Sequence, residues 1–325
     1  MKQIVLALFI FLFASVLGAC STEDDAPETE GTQDESVTEA QDQDAIEETD
    51  HNEESGEGNG GFLWKVESGD TEMYLQGTIH LGNDDFYPLD PAIEEAFDRA
   101  DVVLPEFNLL EETPPQQEIM EYATFEDDTT LDEVLPEETY AELEGILESN
   151  GMDVEAVNGY QPWFVEMTLL QFTIMSSDVN AQDAVDLYFL EKATKEGKEI
   201  VSLESAEEQY EMLSGYSMET QIQTLELALD GYENAADEME ELADAWLEGE
   251  IEILSDADNE AEINDEYMEE LNDKRNVDMA NRLDEILQED NGQIYFVFVG
   301  TAHLTVDPSI LTELEDKGYE VERVY

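Results

Sequence analysis

The chain has 325 residues, and its 86 Asp and Glu against 11 Lys and Arg give a formal net charge of −75. A charge of this sign excludes nucleic-acid binding, which needs a basic surface to neutralise phosphates, and it disfavours electrostatic adhesion to an anionic membrane. Hydrophobic residues still make up 41% of the chain, enough for a folded core, so the acidity does not predict global disorder.

The negative charge is spread along almost the whole chain. Residues 21–60 contain 16 acidic and no basic residues, and the first 20 residues carry only Lys2. Residues 61–325 therefore contain 70 acidic and 10 basic residues, a net charge of −60. Carboxylates at this density repel one another unless salt screens them, so we interpret the composition as halophilic adaptation. The alternative is an acidic secreted protein without that adaptation.

Residues 1–19 are predicted to be a lipoprotein signal peptide. The apolar run Ile4–Val16 is too short to span a bilayer comfortably and has the length of a signal-peptide core. It is followed by Leu17-Gly18-Ala19-Cys20, which resembles the bacterial lipoprotein cleavage box. That resemblance implies cleavage before Cys20 and attachment of a diacylglyceryl group to its sulfur, and two acyl chains are enough for stable anchoring. We therefore expect an extracytoplasmic protein, lipid-anchored to the cell membrane; the alternative is an ordinary secretory peptide.

Residues 20–60 are predicted to be an acidic, disordered tether that begins at the lipidated Cys20. The segment is rich in Glu, Asp, Thr and Gln and has almost no large apolar residues, so burial cannot offset the entropy of ordering it. Cys20 is also the only cysteine, which excludes a disulfide within the chain.

Residues 61–325 are predicted to form one folded domain of the α/β class. Phe62–Val66 and Glu72–Gln76 indicate a β-hairpin, Gln293–Val299 a fully buried strand, and Tyr319–Tyr325 a last, more exposed strand. Strands at both ends of the domain predict a central sheet in which the two ends meet.

The middle of this domain is predicted to be largely helical, from about Leu131 to Gln288. Within it, hydrophobic periodicity predicts helices over Glu137–Ser149, stopped by Gly151, and over Ser202–Leu213.

Two of the strands are followed by the same short motif. The first leads into Gly77-Thr78-Ile79-His80-Leu81 and the second into Gly300-Thr301-Ala302-His303-Leu304. Gly77 and Gly300 allow a sharp turn or a close approach of the backbone, and the histidines are then presented where open α/β sheets bind ligands. His80 and His303 are the only histidines of the domain, so we expect them to share one site; the alternative is two separate structural roles.

A third candidate is Glu106, which follows the short apolar strand Asp101–Leu104 and Pro105. Among 86 acidic residues a solvated carboxylate is the alternative, but its position after a strand resembles that of the two histidines. Two imidazoles and one carboxylate form a common catalytic metal set with an open coordination position.

These motifs resemble the TraB/PrgY/GumN family, which is related to the Tiki metalloproteases. That family has two G-x-x-H motifs on either side of a helical section, with a glutamate between them, as in Gly77–His80, Glu106 and Gly300–His303. The resemblance covers about residues 62–325. Four further family-like segments occur in order: Ala184–Phe189, Ser202–Glu204 with Gln209, Ala245–Gly249, and Lys274–Asn276. Ala184, Ser202 and Val306 depart from the glycines usual in the family, which affects the expected substrate preference more than the metal site.

The resemblance implies a metal-dependent hydrolase, expected to be a peptidase acting on a peptide or small protein. His80, His303 and Glu106 would hold a divalent ion such as Mn²⁺, Co²⁺ or Zn²⁺. Glu204 or Asp186 would serve as a general base or support the imidazoles.

Arg275 is one of ten basic residues in the domain and is expected to stabilise an oxyanion. The alternative for Arg275 is a salt bridge on a helix surface with Glu270 or Asp278.

Two other functions stay open from the sequence. One is a non-catalytic lipoprotein that binds a secreted peptide and sequesters it, as pheromone-inhibitor members of the family are thought to do. The other is hydrolysis of a small ester or another non-peptide substrate at the same site.

Overall fold

A six-stranded mixed sheet organises the fold. The computed structural model describes residues 60–254 and 263–325, so the predicted signal peptide, Cys20 and nearly all of the predicted tether lie outside the described residues. The strand order is β4-β3-β5-β2-β1-β6. The strands are β1 (Phe62–Ser68), β2 (Thr71–Thr78), β3 (Val102–Pro105), β4 (Glu199–Ile200), β5 (Ile294–Gly300) and β6 (Val321–Arg323).

Both ends of the described domain meet in this sheet. β1 and β2 form an antiparallel hairpin, turned at Gly69 with a φ of +59°, and β6 adds antiparallel to the free edge of β1. β5 lies parallel between β2 and β3, and β4 extends the parallel part beyond β3. β5 is buried almost throughout, as expected for a parallel strand covered on both faces. The predicted α/β class and the joining of both ends in one sheet are confirmed.

Helices fill the section between β3 and β5 and also flank the sheet. The longer ones are α1 (Pro91–Arg99), α2 (Gln116–Ala123), α4 (Glu137–Ser149), α5 (Pro162–Ser176), α6 (Val185–Glu196), α7 (Ala206–Gly215), α8 (Met218–Gly231), α9 (Ala235–Leu247) and α11 (Lys274–Glu289). The shorter ones are α3 (Leu131–Val134), α10 (Asp265–Met268), α12 (Thr301–Thr305) and α13 (Ile310–Asp316). The predicted helical middle is confirmed. No helix among the described residues is long and apolar enough to cross a membrane.

The predicted helix over Ser202–Leu213 is wrong at its start. Ser205 caps α7, and its backbone N–H donates to the Glu208 side chain while its hydroxyl accepts from the Glu208 N–H, a complete capping box. The preceding residues run alongside the end of β3 instead, where the Glu204 N–H donates to the Glu106 carbonyl over 2.6 Å. This extended segment brings Glu204 next to Glu106.

A carboxyl group is buried inside the helical section. Glu166 of α5 is 6% exposed, and burial raises the pKa of its carboxyl to about 8, opposed by a hydrogen bond with Thr224. The ordinary value is 4.5, so the folded chain holds this proton more tightly than the unfolded chain. The free energy of unfolding therefore falls as the pH rises from about 4.5 to 8, because ionisation favours the unfolded chain.

Glu166→Gln is accordingly expected to stabilise the fold by a few kcal/mol at pH 9, at about 1.4 kcal/mol per unit of pKa shift, and to have little effect near pH 5. Urea denaturation at the two pH values measures this difference. Glu148→Gln at an exposed position of α4 removes the same charge and serves as the control. Equal stability of Glu166→Gln and the native chain at pH 9 would contradict the expectation.

Candidate functional site

The two repeated motifs lie side by side at one edge of the sheet. β2 and β5 pair in parallel with Gly77 opposite Val299 and Thr78 opposite Gly300. The two motifs therefore leave their strands at the same level. His80 lies two residues past the end of β2, and His303 lies in α12, which begins directly after β5. Both imidazoles are buried, with His303 only 1% exposed.

His80 is held by a carboxylate. Its Nδ1 lies 2.6 Å from Oδ2 of Asp186, near the start of α6, and Asp186 Oδ1 accepts the hydroxyl hydrogen of Thr78. Burial alone would lower the pKa of His80, but Asp186 outweighs it and raises the pKa. Burial would likewise raise the pKa of Asp186, but His80 and Thr78 hold it below its ordinary value. The contact between Asp186 Oδ2 and His80 Nδ1 is the one that the predicted support of an imidazole by Asp186 requires.

His303 is held by an amide instead. Its Nδ1 lies 2.6 Å from Oδ1 of Asn276, whose Nδ2 donates to the Pro308 carbonyl at 2.7 Å and to Asn272 Oδ1 at 3.1 Å. Because the Pro308 carbonyl can only accept, the amide orientation of Asn276 is fixed, and His303 Nδ1 must be the protonated nitrogen. Burial, followed by the nearby Arg275 guanidinium, lowers the pKa of His303 to about 3, so the ring is neutral with its lone pair on Nε2.

Glu106 connects the two halves of the site. Its Oε1 accepts the Gly300 N–H at 2.6 Å and lies 3.5 Å from His303 Nε2, while its Oε2 accepts from Arg275 Nη2 at 3.2 Å. Glu106 is 7% exposed, so its alternative as a solvated carboxylate is wrong. The three predicted residues His80, His303 and Glu106 converge on Gly300.

Residue 300 lies within van der Waals reach of all three polar groups. A Cβ atom there would lie 3.3 Å from Glu106 Oε1, 3.6 Å from His303 Cδ2 and 3.7 Å from His80 Nε2. A side chain would therefore fill the space that the three polar groups surround.

Arg275 is buried and paired with two carboxylates. Its Nε and Nη2 donate to Glu204 Oε1 and Oε2, each at 2.8 Å, and its Nη1 donates to the Leu271 carbonyl at 3.1 Å. Burial would lower the pKa of Arg275, but Glu204 and Glu106 raise it, so the guanidinium stays charged. The alternative of a surface salt bridge with Glu270 or Asp278 is wrong for Arg275.

The residue before Arg275 forms an exposed ion pair on this helix. Lys274, with half its side chain exposed, pairs with Glu270 and Glu269. A π-helical turn, Glu269–Asp273, leads into α11 directly before these residues, and such turns are frequent at functional sites.

Glu204 is oriented by polar partners on both sides. Gln209 Nε2 donates to its Oε2 at 3.1 Å, beside the Arg275 pair. Burial alone would raise the pKa of Glu204, but Arg275 lowers it, so the carboxylate stays ionised. The Glu204 carboxylate contacts neither imidazole through these bonds, and it is linked to the Glu106 carboxylate through Arg275.

Asn276 is the functional residue that sequence reasoning missed. In the sequence it belongs to the family-like segment Lys274–Asn276, which predicts no role for it. Its position next to Arg275 on one helix is the signal that could have identified it, because adjacent helical residues diverge and can serve two different partners.

The donor types at this site fit a divalent metal ion. Two ligand atoms about 2.1 Å from a tetrahedral ion are about 3.4 Å apart, close to the 3.5 Å between His303 Nε2 and Glu106 Oε1. Both imidazoles bind a polar partner through Nδ1, as metal-binding histidines commonly do. Within the described ranges, no group of three or more His, Cys, Asp and Glu side chains meets the geometric criteria for a metal site.

Comparison with known proteins places the chain in one family. The TraB/PrgY/gumN family profile matches residues 62–323. The uncharacterized protein YbaP of Escherichia coli K12 is 25% identical over 145 residues, which cover 45% of this chain and 53% of YbaP. An uncharacterized protein of Treponema pallidum is 22% identical over 173 residues, 50% of this chain and 49% of that protein.

The chain thus spans about half the length of the curated relatives it matches. No solved structure gives a significant match. The profile extends from β1 to β6 and includes both histidine motifs, Glu106, Glu204 and Arg275, so the chain belongs to the TraB/PrgY/gumN family.

Proposed function

We propose that this protein is a metal-dependent hydrolase that cleaves a peptide or small protein, and that it acts outside the cytoplasm from a lipid anchor at Cys20. The observation that supports it best is the convergence of His80, His303 and Glu106 on Gly300, with both imidazoles oriented through Nδ1. The peptide substrate and the anchor follow from the sequence resemblances.

The charges at the site support a divalent cation. Metal binding needs both imidazoles in their neutral form, which for His80 means loss of the proton that Asp186 favours. The three carboxylates of Glu106, Asp186 and Glu204 and the one guanidinium of Arg275 then sum to −2. Buried charge is costly unless it is compensated. A single divalent cation brings this sum to zero.

His80, His303 and Glu106 would hold the ion. A bound ion would supply an activated water molecule and would polarise the scissile carbonyl. Asp186 holds a proton at His80 Nδ1, and Asn276 holds one at His303 Nδ1, so each ring keeps its Nε2 toward the site.

Arg275 and Glu204 influence the predicted metal ligands indirectly, through the position of Glu106. Arg275 holds Glu106 through Oε2, and Glu204 fixes the Arg275 guanidinium by two parallel hydrogen bonds. Because four of the five Arg275 N–H groups are donated to Glu204, Glu106 and Leu271, we assign Arg275 the positioning of Glu106 in place of the expected oxyanion contact.

The purified protein is expected to cleave peptides with Mn²⁺, Co²⁺ or Zn²⁺ and to lose this activity on chelation. His80→Ala and His303→Ala should each lower the rate by roughly 10²-fold or more, while Glu148→Gln should not change it. Product formation followed by mass spectrometry, with metal content per chain, measures both effects.

Unchanged cleavage in both histidine variants would refute the proposed function. Stoichiometric peptide binding without product, retained in those variants, would instead support the sequestering lipoprotein.

Asn276→Ala is expected to lower metal affinity roughly 10–100-fold, because it removes the acceptor that orients His303. Metal titration of the purified variant measures the loss. Asn281→Ala, at an exposed position of the same helix, is the matched control. Equal affinities in the two variants would show that Asn276 has no part in the site.

Arg275→Met is expected to destabilise the fold by about 3–5 kcal/mol, because it leaves two buried carboxylates uncompensated. Adding Glu204→Gln to this variant should restore part of the lost stability, because it removes one of the two uncompensated charges. Lys274→Met removes the neighbouring exposed ion pair and should lower the stability much less. Urea denaturation of the variants gives these values, and a loss for Arg275→Met as small as that for Lys274→Met would contradict the assignment.

A further inference from the structure

A groove lies beside the site, between α7 and α11. Its volume is about 210 Å³, and its lining includes Glu204 and Arg275, the pair that positions Glu106. From Arg275, the groove follows one face of α11 past Asp278 to Arg282, since residues three, four and seven positions apart share a helix face. Met212 of α7 contributes an apolar side chain to the lining.

Basic residues make up a larger share of the charged side chains in the groove than in the chain as a whole, although the lining has a net charge of −1. Three of the chain's 11 basic residues line it, together with four acidic residues, whereas the whole chain has 86 acidic residues. The basic residues are Lys274, Arg275 and Arg282. The groove is therefore far less repulsive to an anion than the rest of the surface.

Of the three basic side chains that line the groove, Arg282 makes the weakest contact with a carboxylate of the protein, an ion pair with Glu208. Its Nη2 lies 3.7 Å from Glu208 Oε1, which is longer than a hydrogen bond. Glu208 is held by its capping box, where its Oε2 accepts the Ser205 N–H at 2.7 Å. By contrast, Arg275 donates to Glu204 and Glu106, and Lys274 pairs with Glu270 and Glu269.

We propose that the groove binds an acidic side chain of the peptide substrate, with Arg282 as the group that receives its carboxylate. This inference rests on the proposed function and specifies its substrate class. A guanidinium matches a carboxylate by two parallel hydrogen bonds, and about half of the Arg282 side chain is exposed at the groove. Met212 offers an apolar contact for the methylene groups of a Glu side chain.

Salt makes this preference compatible with the net charge. The negative surface repels an acidic peptide at long range, and this repulsion is screened beyond about 8 Å at physiological ionic strength and over shorter distances in more concentrated salt. A hydrogen-bonded ion pair in a groove is screened less. Binding of the acidic side chain is therefore expected to persist in a saline medium.

The test is a substrate profile. The full chain is incubated with Mn²⁺ and a random decapeptide mixture, and the cut peptides are sequenced by mass spectrometry. Glu and Asp should be enriched roughly tenfold at one fixed distance from the cut, the effect of about one charged hydrogen bond. Arg282→Gln should abolish the enrichment, Arg282→Lys should keep part of it, and Arg323→Gln, an exposed arginine of β6, should leave it unchanged.

Cleavage without acidic enrichment, or equal enrichment in Arg282→Gln, would overturn this inference and leave the proposed function standing. If the native chain cuts no peptide, the proposed function fails. In that case, binding of an acidic side chain in the groove is tested directly. Peptides from the same mixture are captured on the immobilised chain and sequenced. Acidic peptides retained by the native chain and not by Arg282→Gln support the inference, and capture that is indifferent to Arg282 overturns it.

Discussion

The parallel pairing of β2 with β5 is the interaction on which the site depends. Adjacent strands lie about 4.8 Å apart, so this pairing places two copies of one motif, far apart in the sequence, next to each other. The register sets Thr78 opposite Gly300, and the Thr301 hydroxyl then donates to the Thr78 carbonyl at 2.9 Å. A shift by one residue would turn one motif to the other face of the sheet and separate the histidines.

The two imidazoles occupy equivalent positions but differ in their electrostatics. The carboxylate of Asp186 raises the proton affinity of His80, whereas the amide of Asn276 fixes a tautomer of His303 without adding charge. The buried guanidinium of Arg275 then adds to the effect of burial on His303. One near-symmetric pair of motifs therefore gives one basic and one weakly basic ring in the same site.

Much of the framework could be predicted from the sequence because its signals are local. The hairpin, the buried strand β5 and α4 each follow from a short pattern of apolar residues and turn residues. The pairing of His80 with His303 followed from repetition of one motif after two strands. Predicting these features does not require knowing which residues, far away in the sequence, they contact in the fold.

The polar partners could not be predicted in the same way. With 86 acidic residues in the chain, nothing in the sequence distinguishes Glu204 as the one that meets Arg275. Glu204 meets Arg275 because Ser205 caps α7. The helix therefore begins after Glu204, which stays in an extended segment beside β3. The inward position of Arg275 follows a π-helical turn, which hydrophobic periodicity does not indicate.

The position of β5 between β2 and β3 has a consequence for assembly of the protein. The strands β2 and β3, which lead to His80 and Glu106, are made early, yet they share no neighbouring strand until β5 pairs with both of them. Contacts of such long sequence separation slow folding, because a large loop must close before they form. A chain still being synthesised, with β5 missing, has neither His303 nor the Gly300 N–H that donates to Glu106. The chemistry of the site is therefore withheld until nearly the whole domain has been made.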